Sequence, residues 1–578
     1  MATYPISLVF KFGTVSLKRA AVERALSTPK STAVMWPRMW TLMSTPASTA
    51  RVVGIAAASR LGLLLLCVAA DTLLWDHVPD VSVAAYAAGS PLTRAFTRWD
   101  SARFLAIIDN WYDVTLDAYA FFPGFPGAAR ALKRLAEHLG GLSLGADGSI
   151  ICGLVVSNTA FVLSAVSLKF LTQAILLKCP AGLLNRAAGH AASQHARDLP
   201  SRCRTDAAFV NITLAAYVLN PASVFFVTNY SESLFACLTF SGMLYLERQT
   251  SDIAGGGKLS LPSSTAASFI LAAGTCTRAN GILACIVVAA QPVCHQLRRI
   301  LKSFQPEARG CRTARGPARP AGLFAVSMLS CAAIASPYFG FQLYGYRNVC
   351  PQGLETNLPE PVNACHSFGP LSLYAHIQQT GWNNGLFRYW QLRQLPNFLL
   401  ASPMFACTFA GAWAMFRAGT TDAASPSTFG KCGCWNCRLT IVCSGHEQRS
   451  KPGARRATEE GLGHTVASML QLLDEDAVAK YFVHWFVLAG FILLCGHVQI
   501  VTRAVCASSP ALYWFVAEAA MCHRTLHLPN AGEEDGPPRS RLHFLAYAMV
   551  SRLRLYRRWC VSYICLGILL HCNSLPWT

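Results

Sequence analysis

Residues 53–75 read VGIAAASRLGLLLLCVAADTLLW, and residues 98–126 read RWDSARFLAIIDNWYDVTLDAYAFFPGFP. The first stretch is long and apolar enough to cross a hydrocarbon core, which takes about 20 residues. The second follows a short linker and carries Asp100, Asp109, Asp113 and Asp117. Carboxylates held against a membrane surface are expensive to retain without a function. The two stretches together predict a spanning helix followed by a polar loop that carries chemistry.

The same apolar signature recurs at 150–177, 207–227, 231–247, 321–346, 396–416, 481–502 and 559–574. Two more stretches are ambiguous. Residues 266–292 are interrupted by Arg278, Asn280 and Gly281, and residues 505–520 by Ser508, Ser509 and Pro510. Each reads as a re-entrant or split helix, tolerated only where protein or water covers the open backbone. The chain is 53% hydrophobic and 13% charged, against about 25% charged for soluble proteins. The fold class is therefore an all-α polytopic membrane protein, with roughly 8–11 transmembrane helices. Arg60 is the main charge within a predicted span, and it can snorkel to the headgroups.

The formal net charge is +20. Its distribution excludes nucleic acid as a partner, because the basic residues gather in loops between apolar segments, as orientation by positive loops and contact with anionic membrane lipids require. The N-terminal tail, 1–52, carries Lys11, Lys18, Arg19, Arg24, Lys30 and Arg38 against Glu23 and lacks the apolar core of a secretory signal. The tail and the loops 178–204, 293–319 and 417–480 should be cytosolic, and the more acidic loop 76–149 should face the other side. Parity then requires residues 266–292 to enter and leave on one side, or to cross twice. Arg552, Arg554, Arg557 and Arg558, just before the last apolar segment, fit poorly with a non-cytosolic placement. Most of the 23 cysteines lie in apolar segments and act as small hydrophobes. Cys432, Cys434, Cys437, Cys443 and His446 have partly zinc-like spacing but lack two separated CxxC knuckles. The 417–480 stretch reads as a flexible insert, and no metal is expected.

In the 76–149 loop, Asp109 and Asp113 are spaced for one face of a helix. Phe104, Leu105, Ile107 and Ile108 suggest a helix lying in the interface plane. Asp100, shielded by Trp99 and Trp111, suits general-base work; on composition alone, a solvated helix face is the more ordinary account of these aspartates. The run from Tyr119 through Phe122 to Pro126 should stop a helix and reads as a wall for a lipid or sugar, or as an interfacial anchor. Asn220-Pro221 breaks a helix, and Glu232 then sits at the edge of an apolar segment, as a site residue or as a charge favoured by the helix dipole. The sequon at Asn229 lies too close to the bilayer for modification. Arg278, at a break in an apolar stretch, seeks a phosphate, a carboxylate or the interface. Arg388 and Arg393 are placed to hold a phosphate or to sit in solvent. Cys350 and Cys365 can pair if their loop is lumenal.

RWDSARF, AFFPGFP, NPASVFF, YSESLF, TRANG, LRQLPNFLLASPM, HVQIVTR, SSPALYWF and LLHCNSLPWT occur in this order. Together they closely resemble the PIG-V family of GPI mannosyltransferases, over most of the chain from about residue 53. The resemblance implies a GT-C-like glycosyltransferase bundle with lumenal loops, occupying 53–578, in the endoplasmic reticulum membrane. It implies transfer of mannose from dolichol-phosphate-mannose to the 6-hydroxyl of the first mannose on glucosaminyl-phosphatidylinositol, with inversion and without a cofactor. It implies Trp99-Asp100 as the family's Trp-Asp motif, with Asp100 as general base, Glu232 orienting the acceptor, and Arg278, Asn280, Arg388 and Arg393 meeting phosphate. Trp99, Arg103, Asp109 and Phe122 would complete the substrate site. Cys350 and Cys365 would be the family's lumenal disulfide, and a small membrane subunit would be a partner. Relatives carry His or Tyr where Arg103 stands here, and Glu-His-Gly-Tyr where Asp109-Asn110-Trp111-Tyr112 stands, so a cation lies one turn from Asp100. A transporter would need internal repeats and several mid-helix charges; an accessory subunit would not need Asp100.

Overall fold

The computed structural model describes residues 47–74, 90, 92–113, 115–141, 143–178, 199–254, 261–303, 319–350, 369–421, 469–474, 476–526 and 553–575. Expectations for the N-terminal tail up to residue 46, for Cys365 and for the 432–446 cluster lie outside the described residues. The helices begin with α1 (Thr49–Leu73), α2 (Asp100–Asn110), α3 (Gly124–Gly140), α4 (Gly145–Lys178) and α5 (Leu199–Val218). Then come α6 (Ser223–Val227), α7 (Glu232–Ala254), α8 (Leu261–Thr277), α9 (Ala284–Ser303), α10 (Arg319–Val349) and α11 (Leu373–Trp382). The last are α12 (Leu395–Thr421), α13 (Ala479–Cys495), α14 (Val501–Ser508), α15 (Pro510–Leu526) and α16 (Leu553–Cys572). Among the described residues there is no strand. The protein is an all-α polytopic membrane protein.

Helices prevail because a chain in lipid must satisfy every backbone amide within its own segment. Five segments are long and apolar enough to cross: Thr49–Leu73, Gly145–Leu177, Ala279–Leu301, Gly322–Val349 and Leu392–Met415. Three shorter apolar helices, Asp206–Val218, Thr265–Thr277 and Ala479–Cys495, accompany them. α1 has 25 residues, about 37 Å at 1.5 Å per residue. Its buried positions, Val52, Ala56, Arg60, Leu63, Cys67 and Ala70, form one stripe at helical spacing. The opposite face is apolar too: Leu65 is 64% exposed, as Phe269 and Leu329 are at 71% on α8 and α10. Water would not tolerate so much uncovered apolar surface; acyl chains do.

The two ambiguous stretches resolve differently. Residues 266–292 form a hairpin: α8 ends at Thr277, Arg278 is extended, Ala279–Leu283 makes a 3-10 turn, and α9 follows. Both helices pack on α10, and α8 also packs on α7. Residues 498–521 form a pair of helices bent by 84° between Ser508 and Pro510. Pro510 starts α15, where a missing amide proton leaves no bond unmade.

Polar contacts sort the helix termini into two ends. At one, Asp100 (start of α2), Glu232 (start of α7), Arg503 (start of α14) and Arg278 (after α8) meet, and His571 (end of α16) lies against Tyr230. At the other, Lys480 (start of α13) pairs with Glu247 (late α7) at 2.7 Å, Arg298 (late α9) with Asp474 at 2.7 Å, and Lys169 (late α4) donates to Thr49 (start of α1). The helices thus alternate in direction. Arg557 and Arg558, in the first turns of α16, fall at the Lys480 end, since the helix finishes at the Asp100 end.

Two expectations are corrected. Arg60 does not snorkel: it is 2% exposed, its guanidinium lies 3.7 Å over the Phe161 ring, and Nη2 donates to the Val218 carbonyl (3.1 Å) at the C-terminus of α5. A cation suits that end of a helix dipole. α2 is not interfacial: Phe104, Leu105, Ile107 and Ile108 are all buried, packing α2 against α3 and α4.

Close approach at one glycine holds the Arg278 turn. A Cβ on Gly281 would stand 2.6 Å from both the N and the Cα of Thr275. Backbone cannot yield as a side chain does, so Gly281→Ala should destabilise by about 1–3 kcal/mol. Thermal unfolding of the detergent-purified variant measures this; an unchanged midpoint would contradict the packing described.

Candidate active site

The corner between α5 and α7 builds the floor of the site. α5 stops at Val218 because Asn220-Pro221 follows; Asn220 Oδ1 accepts from the Ala222 amide (2.9 Å) and its Nδ2 donates to the Tyr217 carbonyl. α6 then places Phe225 and Phe226 inside the bundle, and residues 228–231 lead into α7 at Glu232. Asn229 is fully buried and donates to the Phe96 carbonyl, so the sequon is sealed inside the protein.

Four charges converge on that corner. Glu232 is fully buried; its Oε1 lies 2.5 Å from Arg278 Nη1 and 3.6 Å from Arg503 Nη1. Arg503 Nη1 also donates to Asp100 Oδ2 at 3.1 Å. Arg278 Nη1 donates to Ser231 Oγ at 3.0 Å. An uncompensated carboxylate here would be prohibitive, whereas two carboxylates facing two guanidiniums make a neutral set. The carboxylates differ in access: the Asp100 side chain is 32% exposed and that of Glu232 0%. Arg503 is further held over the rings of Phe225 (5.1 Å) and Tyr230 (5.7 Å). Its Nε is buried without a hydrogen-bond partner, as is Asn280 Nδ2.

Tyr230 ties the cluster to α2 and α16. Its hydroxyl accepts from the Asp100 amide (3.2 Å) and lies 3.4 Å from His571 Nε2. Burial first, and then the Asp100 charge, hold its pKa well above the usual phenol range, so it stays protonated. Trp99, just before Asp100, takes φ 57° and ψ −134° and is 39% exposed. Non-glycine residues rarely adopt this backbone, and such outliers gather at functional sites.

Not every expected site residue joins the cluster. Arg103 pairs with Asp117, so the cation that meets Asp100 is Arg503, from the far side of the sequence. Asp109 pairs with Lys133 (2.8 Å) and accepts from Ser149, nine residues further along α2, about 13 Å at 1.5 Å per residue. Asp113 shares no helix face with Asp109, because α2 ends at Asn110 and Trp111 takes φ 58°. Phe122 is buried among Tyr338, Phe341 and Tyr374; the aromatic run ends the 3-10 helix Leu116–Ala120 at Phe121 and then starts α3 at Gly124. Arg388 and Arg393 are exposed, on a segment fixed to the end of α13 by Phe387 and Gly385 amides donating to Leu494 and Cys495 carbonyls. Beside it, His497 donates to the Trp382 carbonyl (2.6 Å), and burial lowers its pKa. Cys350 is disulfide-bonded; Cys365, its expected partner, lies outside the described residues. Arg503 and His571 were missed as site residues. Locally neither stands out: Arg503 shares HVQIVTR with His497, and His571 sits in LLHCNSLPWT beside Cys572.

A charged cluster at one end of a membrane bundle fits several activities, and similarity to known proteins decides among them. Residues 201–578 match the family described as Mannosyltransferase (PIG-V). The chain belongs to this mannosyltransferase family. The match contains Glu232, Arg278, Arg503 and His571, and Asp100 precedes it. GPI alpha-1,6-mannosyltransferase 2 of Cricetulus griseus is 29% identical, over 93% of this chain and 100% of that protein. The Mus musculus protein of the same name is 30% identical, over 84% and 88%. The Homo sapiens one is 28% identical, over 94% and 100%.

Removing Glu232 strands two cations in a sealed corner, so Glu232→Ala should destabilise the protein by about 3–5 kcal/mol. Arg393→Ala, at an exposed side chain, should stay within about 0.5 kcal/mol. Thermal unfolding of the two variants side by side tests this; equal midpoints would show that the cluster does not hold the bundle together.

Proposed function

We infer that the protein transfers a mannosyl group from dolichol-phosphate-mannose to the 6-hydroxyl of the first mannose on glucosaminyl-phosphatidylinositol. The product is the α-1,6-linked second mannose of the GPI anchor precursor. The observation that carries this reading is a partly exposed carboxylate, Asp100, paired with Arg503, which together with Arg278 also flanks the buried Glu232, in a chain of the PIG-V family. The names of the relatives supply the GPI acceptor and the linkage.

The chemistry follows from the donor. A β-linked phosphate giving an α-linkage requires inversion, and a single displacement needs one base rather than the carboxylate pair of a retaining scheme. Of the two carboxylates in the cluster, Asp100 can reach an acceptor hydroxyl, so it takes the base role. Glu232, sealed from solvent, acts through the arginines and does not touch the acceptor. Arg278 and Asn280 face the phosphate head, with Asn280 Nδ2 lacking a protein partner. Exposed Arg388 and Arg393 meet lipid phosphate at the rim, and Trp99 offers its ring to a sugar. The leaving phosphate is a stable anion that cations neutralise.

Topology supports a lumenal site in the endoplasmic reticulum. The loops that join helices at the Lys480 end are the basic ones, which the positive-inside rule places in the cytosol. Among the described residues, passes then run α1, α4, α5, α7, α8, α9, α10, α12, α13, the α14–α15 pair and α16, eleven in all. α16 finishes on the side of Asp100.

Asp100→Asn should abolish rescue of cells lacking the second GPI mannose while the protein still reaches the membrane. Loss of a general base amounts to about 10²–10⁴ in rate. Lipid analysis should show the one-mannose precursor accumulating; normal rescue would remove Asp100 from the base role.

A further inference from the structure

We propose that Arg503 links proton uptake by Asp100 to departure of the lipid phosphate, passing from the carboxylate to the phosphate during transfer. This deepens the reading above and rests on it. Arg503 is the group that touches both carboxylates of the cluster, through one nitrogen, Nη1, at 3.1 Å from Asp100 and 3.6 Å from Glu232. Its Nε is buried and has no hydrogen-bond partner in the protein. The guanidinium therefore keeps a buried donor, Nε–H, in reserve beside the Nη1 that holds the carboxylates. Five donors in a rigid fork can bridge a carboxylate and a phosphate in this way.

The charges balance step by step. The acceptor O–H bond breaks and its proton goes to Asp100 Oδ2. The acceptor oxygen forms the new bond to the anomeric carbon. The bond from that carbon to the phosphate oxygen breaks, and its electron pair stays on the phosphate. Asp100 thus goes from −1 to neutral as the phosphate goes from −1 to −2. One negative charge has moved between two groups, and the cation that paired with the first is released toward the second. Glu232 permits the exchange, because Arg278 at 2.5 Å continues to neutralise it when Arg503 shifts. Without that second arginine, release of Arg503 would strand a sealed carboxylate. The rings of Phe225 and Tyr230 give Arg503 a surface to slide across while it stays desolvated.

The test is a binding cycle with dolichyl phosphate, the leaving group, on full-length protein in lipid nanodiscs. Affinity is measured for wild type, Asp100→Asn, Arg503→Gln and the double variant. Asp100→Asn mimics the protonated base and frees Arg503, so it should bind dolichyl phosphate about tenfold tighter than wild type, the worth of one charge-assisted hydrogen bond. In the Arg503→Gln background the same change should have an effect of less than about twofold. A tightening that persists unchanged without Arg503 would mean that Asp100 repels the phosphate directly, and would overturn the proposal. So would the absence of any tightening. If Arg503→Gln does not fold, Arg503→Lys takes its place: a point charge should lose most of the coupling while keeping the pairing, and full coupling in that variant would overturn the role of the fork. Mannose transfer by wild type, measured in the same discs, separates the two levels. Failure to use dolichol-phosphate-mannose sinks the reading of the preceding subsection; normal transfer with an additive cycle sinks only the role of Arg503.

Discussion

A carboxylate sealed inside a membrane bundle dictates much of this architecture. Glu232 has no access to solvent, and its charge is tolerable only because Arg278 and Arg503 reach it from separate helices. That demand sets levels along the bundle. α8 must stop where Arg278 can turn inward, α14 must begin where Arg503 can, and the α5–α7 corner must bring Glu232 between them. The local breaks serve this convergence: Asn220-Pro221 ends α5, the 3-10 turn at 279–283 separates α8 from α9, and the bend at Pro510 redirects the chain after Arg503. Asp100 joins the same set from the first loop, tied by its amide to Tyr230.

The two ends of the bundle carry charge for different purposes. At the Lys480 end, the ammonium and Glu247 are both buried and matched, and Tyr481 donates to the same carboxylate at 2.6 Å. Such a set fixes helix against helix. At the Asp100 end the charges also match, yet one carboxylate, Asp100, is partly open to solvent, whereas the Lys480–Glu247 pair is sealed. That difference in access sets the two ends apart.

The sequence made the class and much of the site legible, and its failures have physical causes. Apolar runs announced the spanning helices, and Trp99-Asp100, Glu232 and Arg278 were conspicuous as ionisable residues at the edges of such runs. Arg503 was not, because what identifies it is contact with a residue 403 positions away, and no local pattern encodes that. Arg60 was misread for a related reason: hydropathy gives a helix but not the face that meets lipid. Asp109 and Asp113 were paired by spacing, which holds only while the helix continues, and the turn at Trp111 ended it. Arg103 stood near Asp100 in sequence, but Asp117 captured it. Short-range rules gave the elements; the tertiary ion pairs chose among the candidates.

The most direct test of this account is a structure of the protein holding dolichyl phosphate together with its mannosylated glucosaminyl-phosphatidylinositol acceptor. The account predicts the phosphate within about 4 Å of a guanidinium of the Arg278–Arg503 pair, and the acceptor hydroxyl within hydrogen-bond reach of Asp100. A phosphate bound at the Lys480 end, or an acceptor hydroxyl remote from Asp100, would contradict it.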